Sequence, residues 1–114
     1  MIGIVIPAHN EAGLVGASLT AALAAASHPD LGGEAVEIVV VLDDCSDATA
    51  DIVARWPVHS VPVALRNVGA ARAAGAQLLL ERGARWLAFT DADSRVGSDW
   101  LVQQLRPGAA AAPA

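Results

Sequence analysis

At 114 residues the chain suits one domain with a modest core, and its 54% hydrophobic and 17% charged content excludes a disordered polymer. The net charge of −5, with seven basic residues that are all arginine and form no cluster, argues against a nucleic-acid partner. Cys45 is the only cysteine, which rules out an intrachain disulfide or a multi-cysteine zinc site and fits a reducing compartment.

Ile2 to Ile6 is an apolar, β-branched run ended by Pro7, and it reads as a buried strand. Val15, Leu19, Ala22, Leu23 and Ala26 then share one helical face. His28 to Gly33, with Pro, Asp and two glycines, is a loop. Val36 to Leu42 is a second strand, apolar on both faces after Glu37, as in parallel sheets covered on both sides. Asp47 to Trp56 carries Ala48, Ile52, Val53 and Trp56 on one helical face. Val58 to Leu65 is a third strand, in which Pro62 calls for an edge position or a short strand. Asn67 is an N-cap for a helix that runs to about Arg82 and closes at Gly83. Trp86 to Thr90 is a fourth strand, with Leu87 and Phe89 on one side and Trp86 and Ala88 on the other. Ser98 to Leu105 is a last short helix, stopped by Pro107-Gly108, and residues 109–114 are a low-complexity tail.

This alternation predicts an α/β fold, a parallel sheet with helices on both faces. Ligands of such sheets sit at the carboxyl ends of the strands. The segments there are Pro7 to Glu11, Asp43 to Ser46, Arg66 to Gly69 and Asp91 to Asp93, and three of the four contain carboxylates. No G-x-G-x-x-G follows the first strand and no Walker A sequence occurs, so dinucleotide-binding and P-loop readings lack support.

Asp91-Ala92-Asp93 places two carboxylates one residue apart after an apolar strand. Hard oxygen ligands of this kind suit Mg²⁺ or Mn²⁺, with phosphate and water completing the shell, although aspartate pairs also serve as turns and caps. Asp43-Asp44 can accept from a nucleobase N–H or a ribose hydroxyl, or can cap the following helix. Cys45, which follows them, reads as a small packed residue with no base beside it. Pro7-Ala8-His9-Asn10-Glu11 can line a nucleoside or open a helix. In Asn67-Val68-Gly69-Ala70-Ala71-Arg72, small residues at a helix start admit a close anion, with Arg72 within reach, or serve close helix packing.

In this order and at these strand ends, the segments IVIPAHNEAGLVGASL, VVVLDDCSDATADIV, RNVGAARAAG and WLAFTDADSRVGSDWL resemble the family 2 glycosyltransferases of the GT-A (Rossmann-like) fold. The resemblance covers the chain to about Arg106. It implies that residues 1–106 bind a nucleoside-diphosphate sugar with a divalent metal, Mg²⁺ or Mn²⁺, as the donor half of an inverting transferase acting on an unknown acceptor. By the same resemblance Pro7, Ala8, His9 and Glu11 surround the nucleoside. Asp44, with Asp43 beside it, contacts the base, and Arg72 lies near the diphosphate. Asp91 and Asp93 form the DXD motif, the first toward the ribose and metal and the second on the metal. Ala73 departs from a frequent polar residue, and Gly97 from a frequent proline.

Relatives of this kind run on for another hundred residues or more, holding the acceptor site and the catalytic carboxylate. The expectation is therefore a sheet truncated after its fourth strand, with no base assigned and an exposed edge through which the chain self-associates. Two other readings remain at this point. One is a non-catalytic nucleotide-binding remnant. The other is a phosphohydrolase of the haloacid dehalogenase type, whose aspartates belong after the first strand rather than the fourth. No apolar run nears the roughly 20 residues that span a bilayer. The alanine-rich start lacks a basic segment and is interrupted by His9, Asn10 and Glu11, so a cytoplasmic location is expected.

Overall fold

The computed structural model describes residues 1–106. In chain order the elements are β1 (Ile2–Ala8), α1 (Val15–Ala26), a single 3-10 turn at Pro29–Leu31, β2 (Val36–Asp43), α2 (Thr49–Val53), β3 (His59–Val63), α3 (Val68–Glu81), β4 (Trp86–Phe89) and α4 (Trp100–Leu105). The four strands form one parallel sheet in the order β3-β2-β1-β4. β1 lies between β2 and β4, with Ile2 opposite both Val36 and Trp86, and all seven of its residues are buried. The parallel α/β sheet that the alternation foretold is thus present, and β4 stands at one edge with β3 at the other.

Residue parity divides the core in two. Ile2, Ile4, Ile6, Ile38 and Val40 face α1 through Val15, Leu19 and Ala22, together with Val53 of α2 and Leu101 of α4. Val5, Val39 and Val41 face Ala71 and Leu79 of α3. Ala88 joins the first layer and Leu87 the second, as strand alternation requires. The chain runs outward from β1 through β2 to β3, then recrosses by α3 to the far side of β1. The strand order therefore reverses between β1 and β4, and such a switch point opens a crevice at the strand ends.

Local chemistry explains most boundaries. Asn67 accepts the Ala70 amide at 2.9 Å and caps α3, and Gly83, at φ 98°, takes the left-handed turn that ends it. Pro62 sits in edge strand β3, where a missing amide costs least. α2 is shorter than the apolar face over Asp47 to Trp56 implied. The amides of Ser46 and Asp47 are bound by the Asn10 side chain, and Pro57 disfavours helical backbone at Trp56. α4 likewise begins at Trp100 rather than Ser98, after a turn closed from Trp100 N–H to the Gly97 carbonyl at 3.0 Å. The helix stop expected at Pro107-Gly108, and the tail beyond it, lie outside the described residues. Among the described residues no helix is long and apolar enough to cross a membrane.

Gly75 sets the seat of α3. A Cβ built there would lie 2.6 Å from Val5 Cγ1 and 2.9 Å from Val41 Cγ2. Gly75→Ala is therefore expected to destabilise the fold by about 1–3 kcal/mol through overpacking, despite the gain of roughly 1 kcal/mol in helix propensity. Urea unfolding measures this, and a stabilised variant would mean that α3 rides higher on the sheet.

Candidate functional site

A cavity of about 230 Å³ opens at the carboxyl ends of β1, β2 and β4. Pro7, Ala8, His9 and Glu11 form one side, Asp43 the floor at β2, and Asp91, Ala92 and Asp93 the side after β4. Val68 and Ala71, from the first turn of α3, complete it. Four of these residues are carboxylates and none is lysine or arginine.

Asp43 is nearly buried, at 5% exposure, and its carboxylate accepts three backbone amides. Oδ1 accepts the amides of Leu65 and Arg66 at 2.8 and 2.9 Å, and Oδ2 accepts that of Asn67 at 3.1 Å. The Arg66 amide first, then the other two, hold its carboxyl below the usual carboxylate range against the opposing effect of burial. Asp43 thereby ties the end of β2 to the segment that leads into α3. The Asp43 carbonyl lies 2.8 Å from His9 Nδ1. A carbonyl only accepts, so Nδ1 carries the proton and Nε2 of the neutral ring remains an acceptor.

Asp44 turns away from Asp43. Its backbone is left-handed, φ 52°, and its carboxylate accepts from Arg66 Nη1 at 2.8 Å. Both side chains are largely exposed, so the pair contributes little stability. Asp91 is held in two ways: Ser18 Oγ donates to its carbonyl at 3.1 Å, and Arg72 Nη2 lies 3.2 Å from its carboxylate. Ala92 is buried in the α1 layer, so Asp91 and Asp93 flank an anchored residue and both border the cavity. Among the described residues no group of three or more His, Cys, Asp or Glu side chains could hold a metal ion unaided.

A family model described as glycosyl transferase family 2 matches residues 3–109. The chain belongs to that family. No curated protein sequence matches it. Among solved structures, the chain is similar to the S. aureus protein TarS, residues 1–349, with a TM-score of 0.68, 21% identity, and coverage of 91% of this chain and 31% of that one. The same TarS region in complex with UDP-GlcNAc gives a TM-score of 0.69 at 21% identity, covering 91% and 30%. Its complex with UDP gives 0.67 at 23% identity, covering 92% and 31%. The chain thus spans about 31% of the TarS region, and at these identities the likeness shows the fold.

Of the residues singled out from the sequence of this family 2 domain, the cavity gathers Pro7, Ala8, His9, Glu11, Asp43, Asp91 and Asp93. Asp44 and Arg72 do not line it. They stand beside it in ion pairs with Arg66 and Asp91. Val68, Ala71 and Ala92 also line it, although no polar chemistry marks them in the sequence. Ser18 was findable, since it lies three residues after Val15 on the inward face of α1.

The lowered carboxyl of Asp43 gives a signed pH dependence. A carboxyl depressed in the folded state stabilises the fold above its unfolded pKa, and that contribution is lost as pH falls through the folded value. Asp43→Asn should therefore lower Tm at neutral pH, and the gap to wild type should shrink as the pH falls below the usual carboxylate range. A gap that stays constant over that range would show that charge plays no part in the loop tie.

Proposed function

We propose that the chain is the donor-binding part of an inverting glycosyltransferase, holding a nucleoside-diphosphate sugar in the cavity after β1, β2 and β4. The observation that carries this reading is the charge of the cavity. Glu11, Asp43, Asp91 and Asp93 line it without a lysine or arginine. An anionic diphosphate is repelled by such a surface unless a cation accompanies it, and a bound divalent ion inverts the local field. Asp91 and Asp93 are the residues that would hold Mg²⁺ or Mn²⁺, leaving most of the coordination sphere to phosphate and water. When bound, that ion supplies neutralisation of the departing diphosphate.

The chain's own residues divide the remaining work. Pro7, Ala8 and His9 face the nucleoside, with His9 Nε2 offering an acceptor. Asp44 offers a carboxylate to a base N–H once it is released from Arg66. Arg72, paired at 3.2 Å with the Asp91 carboxylate that would ligate the ion, would meet the diphosphate beside it. The cavity lies below the roughly 300–1,000 Å³ of sites that enclose a drug-sized ligand, so a bound nucleotide sugar extends beyond these residues. The acceptor and the base that activates it are assigned to no residue of this chain. Solved TarS complexes contain UDP and UDP-GlcNAc, which makes UDP the first probe.

UDP should bind measurably with Mn²⁺ and at least about tenfold more weakly without it, and Asp93→Ala should abolish that difference, which corresponds to ~1.4 kcal/mol. Titration calorimetry decides it, and equal metal-assisted binding by both proteins sinks the role of Asp93. Asp44→Ala should weaken UDP binding by roughly tenfold, the weight of one charge-assisted hydrogen bond, and flatten the ranking of UDP, GDP and ADP. An unchanged ranking would reassign base recognition elsewhere.

A further inference from the structure

The loop after β1 is joined to α1 through the Glu11 carbonyl, which accepts the amides of Leu14 and Val15 at 3.0 and 2.9 Å, and it carries His9 and Glu11 to the cavity. Its other partners come from the loop after β2. Asn10 Oδ1 accepts the amides of Ser46 and Asp47 at 2.8 and 3.2 Å. In return, the Ala12 amide donates to Asp47 Oδ2 at 3.2 Å, and the Glu11 amide donates to Thr49 Oγ1 at 2.9 Å. Thr49 is fully buried, and its hydroxyl donates onward to Asp47 Oδ1, which also accepts the Thr49 amide at 2.9 Å. A buried hydroxyl that links residues 38 positions apart, neither of them in the apolar core, does more than start a five-residue helix.

We propose that Thr49 and Asp47 are positioning residues of the nucleotide site: they clamp the backbone of Glu11 and Ala12 so that His9 and Glu11 face the cavity. The inference rests on the donor-binding reading above. Neither residue lines the cavity, so each acts through the loop it holds. A pre-set loop spares the ligand the entropy of ordering it, and without the clamp that ordering falls to binding.

The two residues can be separated chemically. Thr49→Val keeps the shape and removes the only acceptor that the Glu11 amide has among the described residues. Thr49→Ser restores it. Asp47→Asn keeps an oxygen for Thr49 but turns an NH₂ toward the Ala12 amide, so it spares the start of α2 and loses the tie between loops. Amide hydrogen exchange and calorimetry with UDP and Mn²⁺, both on the full chain, provide two independent readouts. Thr49→Val is expected to exchange faster at Glu11 and Ala12 and to bind UDP about tenfold more weakly, with Thr49→Ser close to wild type. Asp47→Asn is expected to show the same changes at Ala12 while exchange within α2 stays as in wild type. Unchanged exchange at Glu11 and Ala12 in Thr49→Val overturns the clamp, whatever the ligand result. Faster exchange with unchanged UDP affinity, or a Tm loss that Thr49→Ser does not rescue, reduces both residues to structural ones and overturns the positioning role. A wild-type chain that binds no UDP overturns the donor-binding reading and the positioning role with it, while exchange still decides the clamp itself.

Discussion

The close approach of α3 to the centre of the sheet is the constraint from which the site follows. Gly75 lies against Val5 and Val41, and Gly3 of β1 leaves room for Leu79, toward whose Cδ1 a Cβ would come within 2.8 Å. Only with both side chains absent can a helix lie this low on the middle strands. At that height the first turn of α3 brings Val68 and Ala71 to the cavity and sets Arg72 against Asp91. A helix lifted by one methyl group would withdraw that wall and leave the ends of β1 and β4 facing solvent.

The loops at the strand ends are then tied to one another rather than to the core. Asp43 gathers three amides of the segment before α3, while Asn10, Asp47 and Thr49 join the loops after β1 and β2. Cys45 takes part modestly, its Sγ 3.4 Å from the Ala8 carbonyl, as a half-buried packed thiol. The carboxylates that remain toward the cavity are those of Glu11, Asp91 and Asp93, which is where a ligand accompanied by a cation would be met. Asp43 thus both ties the loops and lines the cavity, whereas Glu11, Asp91 and Asp93 line it with no backbone amide on their carboxylates among the described residues.

Much of this was legible in the sequence because each signal was local. Strand runs alternating with helical faces, an edge proline, a capping asparagine and a closing glycine each act within a few residues, and each holds in the fold. The segments that border the cavity were legible too, because a parallel sheet opens its crevice at the carboxyl ends of its strands. What escaped were relations across the chain. Asp43 and Asp44 look equivalent in sequence, yet parity distinguishes them: Asp43 follows Val39 and Val41 on the face covered by α3, where waiting amides capture it. The shortening of α2 depends on a side chain 36 positions earlier, and the burial of Thr49 on an amide 38 positions earlier. No periodicity encodes such partners.

The three loops that leave β1, β2 and β3 share one backbone peculiarity. Asn10, Asp44 and Arg66 all have left-handed backbones, with φ of 51, 52 and 48°. Glycine would adopt these angles without steric cost, whereas side-chain-bearing residues do so at a cost of order 1–3 kcal/mol. Each position nevertheless carries a side chain that is in use: Asn10 binds two amides, and Asp44 and Arg66 hold each other. The rim of the sheet therefore behaves as a set of sprung clips, in which an unfavourable backbone is held by amides, Asp44 N–H on the Val63 carbonyl at 2.8 Å and Arg66 N–H on Asp43 Oδ1 at 2.9 Å, with an exposed ion pair laid over them. Such clips are sensitive to their surroundings in a way the core is not. Salt screens the Asp44–Arg66 pair over a Debye length of about 8 Å at physiological strength, so the ionic medium loosens the outer contact of the rim while the amide bonds beneath it stay in place.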